Sequence, residues 1–286
     1  MSKNILLAPY TTFKIGGRAK YFCEARNSED IITAITMAKK EDLPFFILGN
    51  GSNILVSDNG FEGLVIKFSI FNFQFSNNKI TADAGVLLSK LVDESVKLGL
   101  TGLEWAAGIP GTVGGAVRGN AGAFGSSIVD IVKEIKVLDI GTSQVQILNN
   151  KDCKFGYRDS VFKHNKNLIL LSVELELKKG DKERSREMIR EYLKKRQETQ
   201  PLEFMSAGCI FKNPAGRSAG YLIEQCGLKG KKINGAMISE KHANFIINTG
   251  GAKAEDVINL INLCKEKVKE KFGVKLEEEI EYLGEF

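Results

Sequence analysis

Two histidines, His164 and His242, and five cysteines with no C-x-x-C pair among them give this 286-residue chain little from which to build a metal centre, and none is expected. The cysteines (Cys23, Cys153, Cys209, Cys226 and Cys264) are odd in number and scattered, which argues against a disulfide framework and for a reducing compartment. No charge of one sign dominates: 40 Lys and Arg stand against 35 Asp and Glu, and the lysines of 181–197 and 265–271 are interleaved with glutamate as on a solvated helix face. A nucleic-acid partner is therefore not expected. No apolar run approaches the roughly 20 residues needed to span a membrane, and MSKNILLAPYTTFKIGG is too briefly apolar for a secretory signal. The chain reads as cytoplasmic. It also lacks a G-K-[ST] phosphate loop, and GNGSN (49–53) fails as a dinucleotide fingerprint because residue 54 is Ile.

What the chain does have is concentrated glycine. GIPGTVGGAVRGNAGAFG (108–125) places glycine at seven of eighteen positions. Glycine is used where φ must be positive or where something packs directly on main-chain atoms. Taken alone, GNGSN is as readily a tight turn as a ligand loop. In the second segment, Gly111 to Ala116 would open a short helix whose unpaired first-turn amides and positive dipole end suit an anion, and Asn120-Ala121-Gly122 would admit a flat or charged group. Two such loops in one domain point to a long, phosphate-bearing cofactor.

The order of elements is mixed. Ser28-Glu29-Asp30 starts a helix with Ile31, Ile32, Ile35 and Ala38 on one face, and FFIL (45–48) is a buried strand running into GNGSN. Residues 64–67 and 79–83 read as strands, 87–98 as a helix, and 131–139 with 144–148 as a hairpin. LILLSVELEL (168–177) alternates, with Leu171, Val173, Leu175 and Leu177 on one side and Ser172, Glu174 and Glu176 on the other. A composition shift at the charged helix 178–201 marks a domain boundary, giving 1–178 and 179–286. Beyond it come a helix near 217–226, a strand at 243–248, a long helix with Val257, Ile261, Cys264, Val268 and Phe272 on one stripe, and a last strand at 274–283. The class is α+β.

TTFKIGG, LGNGSNILVSD, GLEWAAGIPGTVGGAV, FGYRDSVFK, AGCIFKNP, GLKG, SEKHANFIIN and LEEEIEYLG, in this order and over nearly the whole chain, resemble the motifs of the UDP-N-acetylenolpyruvoylglucosamine reductases. The resemblance implies an FAD-binding domain of two α+β subdomains similar to those of vanillyl-alcohol oxidase, about 1–67 and 68–178, followed by a substrate-binding domain. It implies non-covalent FAD held along Gly49, Asn50, Gly51, Ser52, Asn53, Gly114, Gly115, Asn120 and Ala121. It further implies NADPH as co-substrate and UDP-N-acetylglucosamine-enolpyruvate as substrate, in peptidoglycan precursor synthesis, with the protein working as a monomer. The chain departs from the family at Gly119, where methionine is common. The room between FGYRDSVFK and LILLSVELEL excludes an insertion that carries a substrate-covering tyrosine, which places the chain with the shorter subtype.

Three residues match the family's chemistry. Arg158 would grip a carboxylate through its planar fork, where an isolated arginine in RDS would otherwise be a surface partner of Asp159. Glu279 would meet the same oxygens, donating a hydrogen bond when protonated, while Glu277, Glu278 and Glu281 read as solvated acids. Cys209 occupies the family's proton-donor position, although a lone cysteine is usually a small buried hydrophobe. Asn213 and His242 match substrate-contacting positions, and His242 reads equally as a structural histidine. Two other readings share part of the pattern: an oxygen-using flavin oxidase, and a sugar-nucleotide or flavin binder without catalysis.

Overall fold

The computed structural model of the chain describes residues 1–69 and 71–286. Its helices are α1 (Ser28–Lys40), α2 (Leu88–Lys97), α3 (Val113–Arg118), α4 (Val161–His164), α5 (Lys182–Thr199), α6 (Ala219–Gln225) and α7 (Ala254–Phe272). Backbone packing separates two compact units, each discontinuous in sequence: Met1–Cys23, Ala38–Ile66 and Arg196–Phe286 form the first, Glu24–Met37 and Lys67–Lys195 the second. The α+β class expected from the element order is the one found.

In the first unit a sheet runs in the order Ser2–Leu6, Arg18–Ala25, Phe61–Phe68, Phe45–Leu48. Leu7, Ala19, Phe22, Leu48 and Val65 are buried together on it. A second sheet orders Met205–Cys209, Phe245–Asn248, Ala236–Ile238 and Lys232–Ile233, all antiparallel. The stripe expected on α7 is real: Val257, Ile261, Cys264 and Val268 are buried with Leu222 and Ile223 of α6, and Phe272 packs at the margin. The same core takes in Phe13, Ile15 and Leu55. Ile54–Val56 pairs in parallel with Glu281–Leu283, and the Asp58 carboxylate accepts the α7 first-turn amides of Ala254 (3.0 Å) and Glu255 (3.2 Å), a cap supplied from far along the chain. The packing therefore does not follow the functional boundary expected at 178/179, because the apolar residues near the start of the chain find their partners after residue 200. Of the last strand expected over 274–283, only Glu281–Leu283 is regular.

The second unit is built on a five-stranded antiparallel sheet, ordered Gln144–Asn149, Val132–Asp139, Leu168–Glu176, Lys79–Asp83, Phe73–Ser76. The alternation read in 168–177 holds, with Leu171, Val173, Leu175 and Leu177 buried, and α3 packs on that strand. On α1 the buried face is Ile31, Ala34, Ile35 and Ala38; Ile32 points to solvent, one residue off the helical period.

A buried carboxylate ties the 101–104 segment to α5. Glu104 is 3% exposed, and its Oε1 accepts hydroxyl protons from Thr101 and from Ser185 of α5, each at 2.6 Å, while Oε2 accepts the Gly102 N–H at 2.7 Å. Burial alone would raise its pKa, but these hydrogen bonds outweigh burial and hold it below the ordinary value of 4.5. Because the folded pKa is the lower one, the ionised group's stabilisation is fully present above the unfolded pKa and is lost as pH falls through the folded one. Glu104→Gln keeps the shape but trades one acceptor oxygen for an NH₂, and is expected to destabilise the protein by about 1–3 kcal/mol at pH 7. The deficit should shrink below about pH 4. Urea unfolding of both proteins across pH 3–8 measures it; a deficit independent of pH would contradict this account.

Candidate active site

In the first unit the 49–53 turn follows the strand Phe45–Leu48. Gly51 has φ +62°, and a Cβ there would fall 2.3 Å from Tyr10 O, so glycine is demanded by the protein's own backbone. Thr12 ties the turn down, its N and Oγ1 both donating to Gly51 O at 3.0 and 3.3 Å. Gly49, Asn50, Ser52 and Asn53 are half-buried around it. Asn53 Nδ2 donates to Glu279 O (3.1 Å), and Glu281 N donates to Asn53 O (2.9 Å).

That segment meets Cys209 from the other side. Glu279 N donates to Ile210 O at 2.7 Å, Phe211 bridges Glu278, and Lys212 N donates to Glu277 O at 2.9 Å. Cys209 ends the strand Met205–Cys209 just after an irregularity that contains Gly208 at φ +78°, the kind of bulge that re-aims a side chain. Cys209 and Glu279, both half-buried, thus stand on neighbouring backbone runs beside the glycine turn.

Sequence reading missed Arg196. It is 8% exposed at the end of α5, close enough to Cys209 for the two to interact electrostatically; burial lowers its pKa, and the charge available to Cys209 opposes that. The charged run KKRQETQ hid it. The available signal was the period of α5, on which Ser185, Met188, Ile189, Tyr192 and Arg196 are its less exposed positions.

In the second unit the opening of α3 differs from expectation. Its first amides are not left for an anion: Val113 N donates to Val86 O and Gly114 N to Ala84 O, both at 2.8 Å, Gly115 N to Thr112 Oγ1 at 3.2 Å, and Ala116 N to Thr112 O at 2.9 Å. A Thr N-cap and the 84–86 backbone that follows the strand Lys79–Asp83 satisfy the turn from within. Gly114 is also explained internally, because a Cβ there would lie 2.8 Å from Ala84 Cβ. Gly115 is different. It is exposed, and a Cβ would meet only Thr112 Oγ1 at 3.4 Å, so no close internal contact requires its bare backbone. Gly119, at φ −91°, likewise has room, its nearest neighbour being Gly115 O at 3.5 Å.

Arg158 and Asn120 form a reciprocal clamp in the same unit. Both have positive φ, +55° and +41°. Arg158 Nη2 donates to Gly122 O (2.8 Å) and Nη1 to Asn120 O (3.4 Å), while Asn120 Nδ2 donates to Gly156 O (2.7 Å) and its Oδ1 accepts Val129 N (3.3 Å). Asn120 thus commits one end of its amide to the Arg158 loop and the other to the Ile128–Asp130 turn, and what it and Ala121 can offer a cofactor is main chain. Ala121 itself is pinned by Ala121 N to Ala116 O and Ile128 N to Ala121 O. Asp159 bonds His164 Nε2 at 2.9 Å.

The last two candidates lie in the first unit and carry local duties. Asn213 Oδ1 accepts the N–H of Ala219, the first residue of α6 (3.0 Å). His242 Nδ1 accepts Asn244 N (3.2 Å), which fixes the neutral tautomer protonated on Nε2, and burial lowers its pKa. Among the described residues no helix is long and apolar enough to cross a membrane.

Comparison with known proteins gives the same answer at every scale. A profile described as "FAD binding domain" matches residues 19–149, and so takes in both glycine segments. One described as "UDP-N-acetylenolpyruvoylglucosamine reductase, C-terminal domain" matches 200–283, and so takes in Cys209, Asn213, His242 and Glu279. A UDP-N-acetylenolpyruvoylglucosamine reductase of Caldicellulosiruptor bescii is 46% identical over 98% of this chain and 90% of its own. That of Carboxydothermus hydrogenoformans is 46% identical over 99% and 94%, and that of Clostridioides difficile 42% over 96% and 91%. The crystal structure of the Thermus caldophilus reductase superposes with a TM-score of 0.83 at 39% identity, over 98% of this chain and 97% of that one. Motifs, fold and end-to-end relatives agree, and the chain belongs to the UDP-N-acetylenolpyruvoylglucosamine reductase family.

Proposed function

We propose that the protein is a cytoplasmic flavoenzyme that uses NADPH to reduce the enolpyruvyl group of UDP-N-acetylglucosamine-enolpyruvate, yielding UDP-N-acetylmuramate for peptidoglycan. The observation that carries this reading is the adjacency of Cys209 and Glu279 on hydrogen-bonded backbone runs, beside the 49–53 turn, in a chain that matches this family end to end. In this reading residues 1–178 serve FAD and 179–286 the sugar nucleotide, and the enzyme works as a monomer.

The residues fit a bound flavin in one respect that the structure makes testable: Gly115 offers a surface-exposed backbone with no close internal packing to explain it. When bound, FAD would carry the hydride from NADPH to the terminal carbon of the enolpyruvyl double bond. That addition leaves a negative charge on the adjoining carbon that is delocalised into its carboxylate as an enolate. The Arg158 fork would offset the added negative charge, and its hold on the carbonyls of Asn120 and Gly122 limits how far it can swing. The Cys209 thiol would then deliver a proton to the neighbouring carbon, and Glu279, in its protonated form, would donate a hydrogen bond to the same carboxylate oxygens that Arg158 faces. With Arg196 near, the thiolate left by that transfer has a cation to stabilise it.

Gly115→Val is expected to lower flavin content and to reduce Tm by an amount that added FAD partly restores, since a ligand stabilises only the state it binds. Gly114→Val, by contrast, should lower Tm whether or not FAD is added, because it strikes Ala84. Flavin absorbance and melting curves with and without FAD measure both; identical behaviour of the two variants would remove Gly115 from the cofactor site. The flavin should leave the protein on denaturation.

Cys209→Ala should leave reduction of the flavin by NADPH near normal while slowing its reoxidation by the enolpyruvyl sugar by roughly 10²- to 10⁴-fold, the usual loss for a positioned acid. Cys209→Ser should retain substantial turnover, because a hydroxyl can still donate. Stopped-flow absorbance of the flavin separates the two phases. Equal slowing of both would mark a packing defect, and unimpaired turnover would make Cys209 a buried hydrophobe.

A further inference from the structure

The hairpin after α3 carries a residue that its turn does not favour. Strands Gly122–Ala123 and Ser126–Ser127 pair in the register Ser126 with Ala123 and Ser127 with Gly122, which leaves Phe124 and Gly125 as a two-residue turn. Phe124 has φ +53° and Gly125 φ +83°. Positive φ at both central positions is the requirement of the type I′ turn, whose first position is dominated by Asn, Asp and Gly; a bulky ring there is strained. Such strain persists where surrounding structure holds it and function uses it.

The surroundings hold this ring in a defined plane. Phe124 lies face to face on Tyr192 of α5, ring centroids 4.1 Å apart and planes within 5°. Core burial does not account for it, since Phe124 remains 39% exposed. Beside it, a Cβ on Gly125 would meet nothing within 4 Å, so the space at the turn is open. The neighbouring residues Ala121, Gly122, Ser126 and Ser127 are small or polar, which is not the broad apolar patch that a protein partner covers. The hairpin is also fastened to the clamp: Gly122, two residues before the ring, accepts from Arg158 Nη2 at 2.8 Å. A ligand with an anionic group near Arg158 and a flat ring within reach of the turn would meet both.

We propose that Phe124, backed by Tyr192, is a stacking platform for the planar base of a nucleotide ligand. The proposal rests on the function given above, in which two ligands carry such bases, the uridine diphosphate sugar and the nicotinamide dinucleotide. Stacking on an aromatic face is indifferent to a base's hydrogen-bonding pattern, so one platform serves either chemistry.

The test uses the preference of the turn. Phe124→Asn creates the Asn-Gly pair that type I′ favours, removing the ring while relieving the backbone. In FAD-loaded protein its Tm should equal or exceed that of the wild type, while affinity for UDP or for NADP+, titrated separately by calorimetry, falls roughly 5- to 100-fold. Phe124→Tyr should recover the affinity, and Tyr192→Ala should show a smaller fall. A loss for UDP alone assigns the platform to the sugar nucleotide, a loss for NADP+ alone assigns it to the dinucleotide, and a loss for both assigns it to each in turn. Unchanged affinity for both nucleotides in Phe124→Asn overturns the platform and leaves the enzyme's function standing. Wild-type protein that binds neither nucleotide overturns the function and the platform together.

Discussion

Much of the first unit depends on one short parallel pairing, Ile54–Val56 against Glu281–Leu283. Around it, three residues of the 53–58 stretch serve the far end of the chain: Asn53 bonds Glu279 and Glu281, Leu55 enters the core with α7, and Asp58 caps that helix. Because Glu279 N is bonded to Ile210 O, the glycine turn, the glutamate and the strand that ends in Cys209 become one hydrogen-bonded piece. Groups meant to act on a reacting centre need to be held within fractions of an ångström, and backbone runs bonded to one another do this better than separate loops.

The glycines divide by what they meet. Gly51 and Gly114 are bare because the protein's own atoms come within 2.3 and 2.8 Å of where a Cβ would stand, so they would be glycine in any protein with this packing. Gly115 and Gly119 meet no such constraint. The first amides of α3 are paired internally, so any attraction for a diphosphate must come from exposed main chain and from the absence of side chains, not from vacant donors.

Periodic elements were legible in the sequence: the stripe of α7, the alternation of 168–177 and the 131–149 hairpin all lie within a residue or two of where pattern places them. What pattern misses is partnership. Nothing local says that Leu55 packs with Val257, that Asp58 caps a helix nearly two hundred residues on, or that Arg196 is buried near Cys209, because those facts depend on which surfaces meet. Ordered motifs placed Cys209 and Glu279 by resemblance; only the strand bonds to Ile210 explain why residues so far apart are neighbours. The Thr112 cap shows the opposite limit, since a helix start read from glycines alone gives no hint that its amides are already satisfied.

The discontinuous first unit also dictates an order of assembly. During synthesis, residues 67–195 emerge as a nearly continuous block with a complete antiparallel sheet, and can condense around neighbours already made. The glycine turn at 49–53 must wait. Its strand neighbour and the partner of Asn53 do not exist until residue 283 has left the ribosome, and joining them closes a loop of more than two hundred residues. Until then Phe13, Ile15 and Leu55 lack the partners they are buried with, so the part that assembles the candidate chemistry can be completed only once the C-terminal residues have been made.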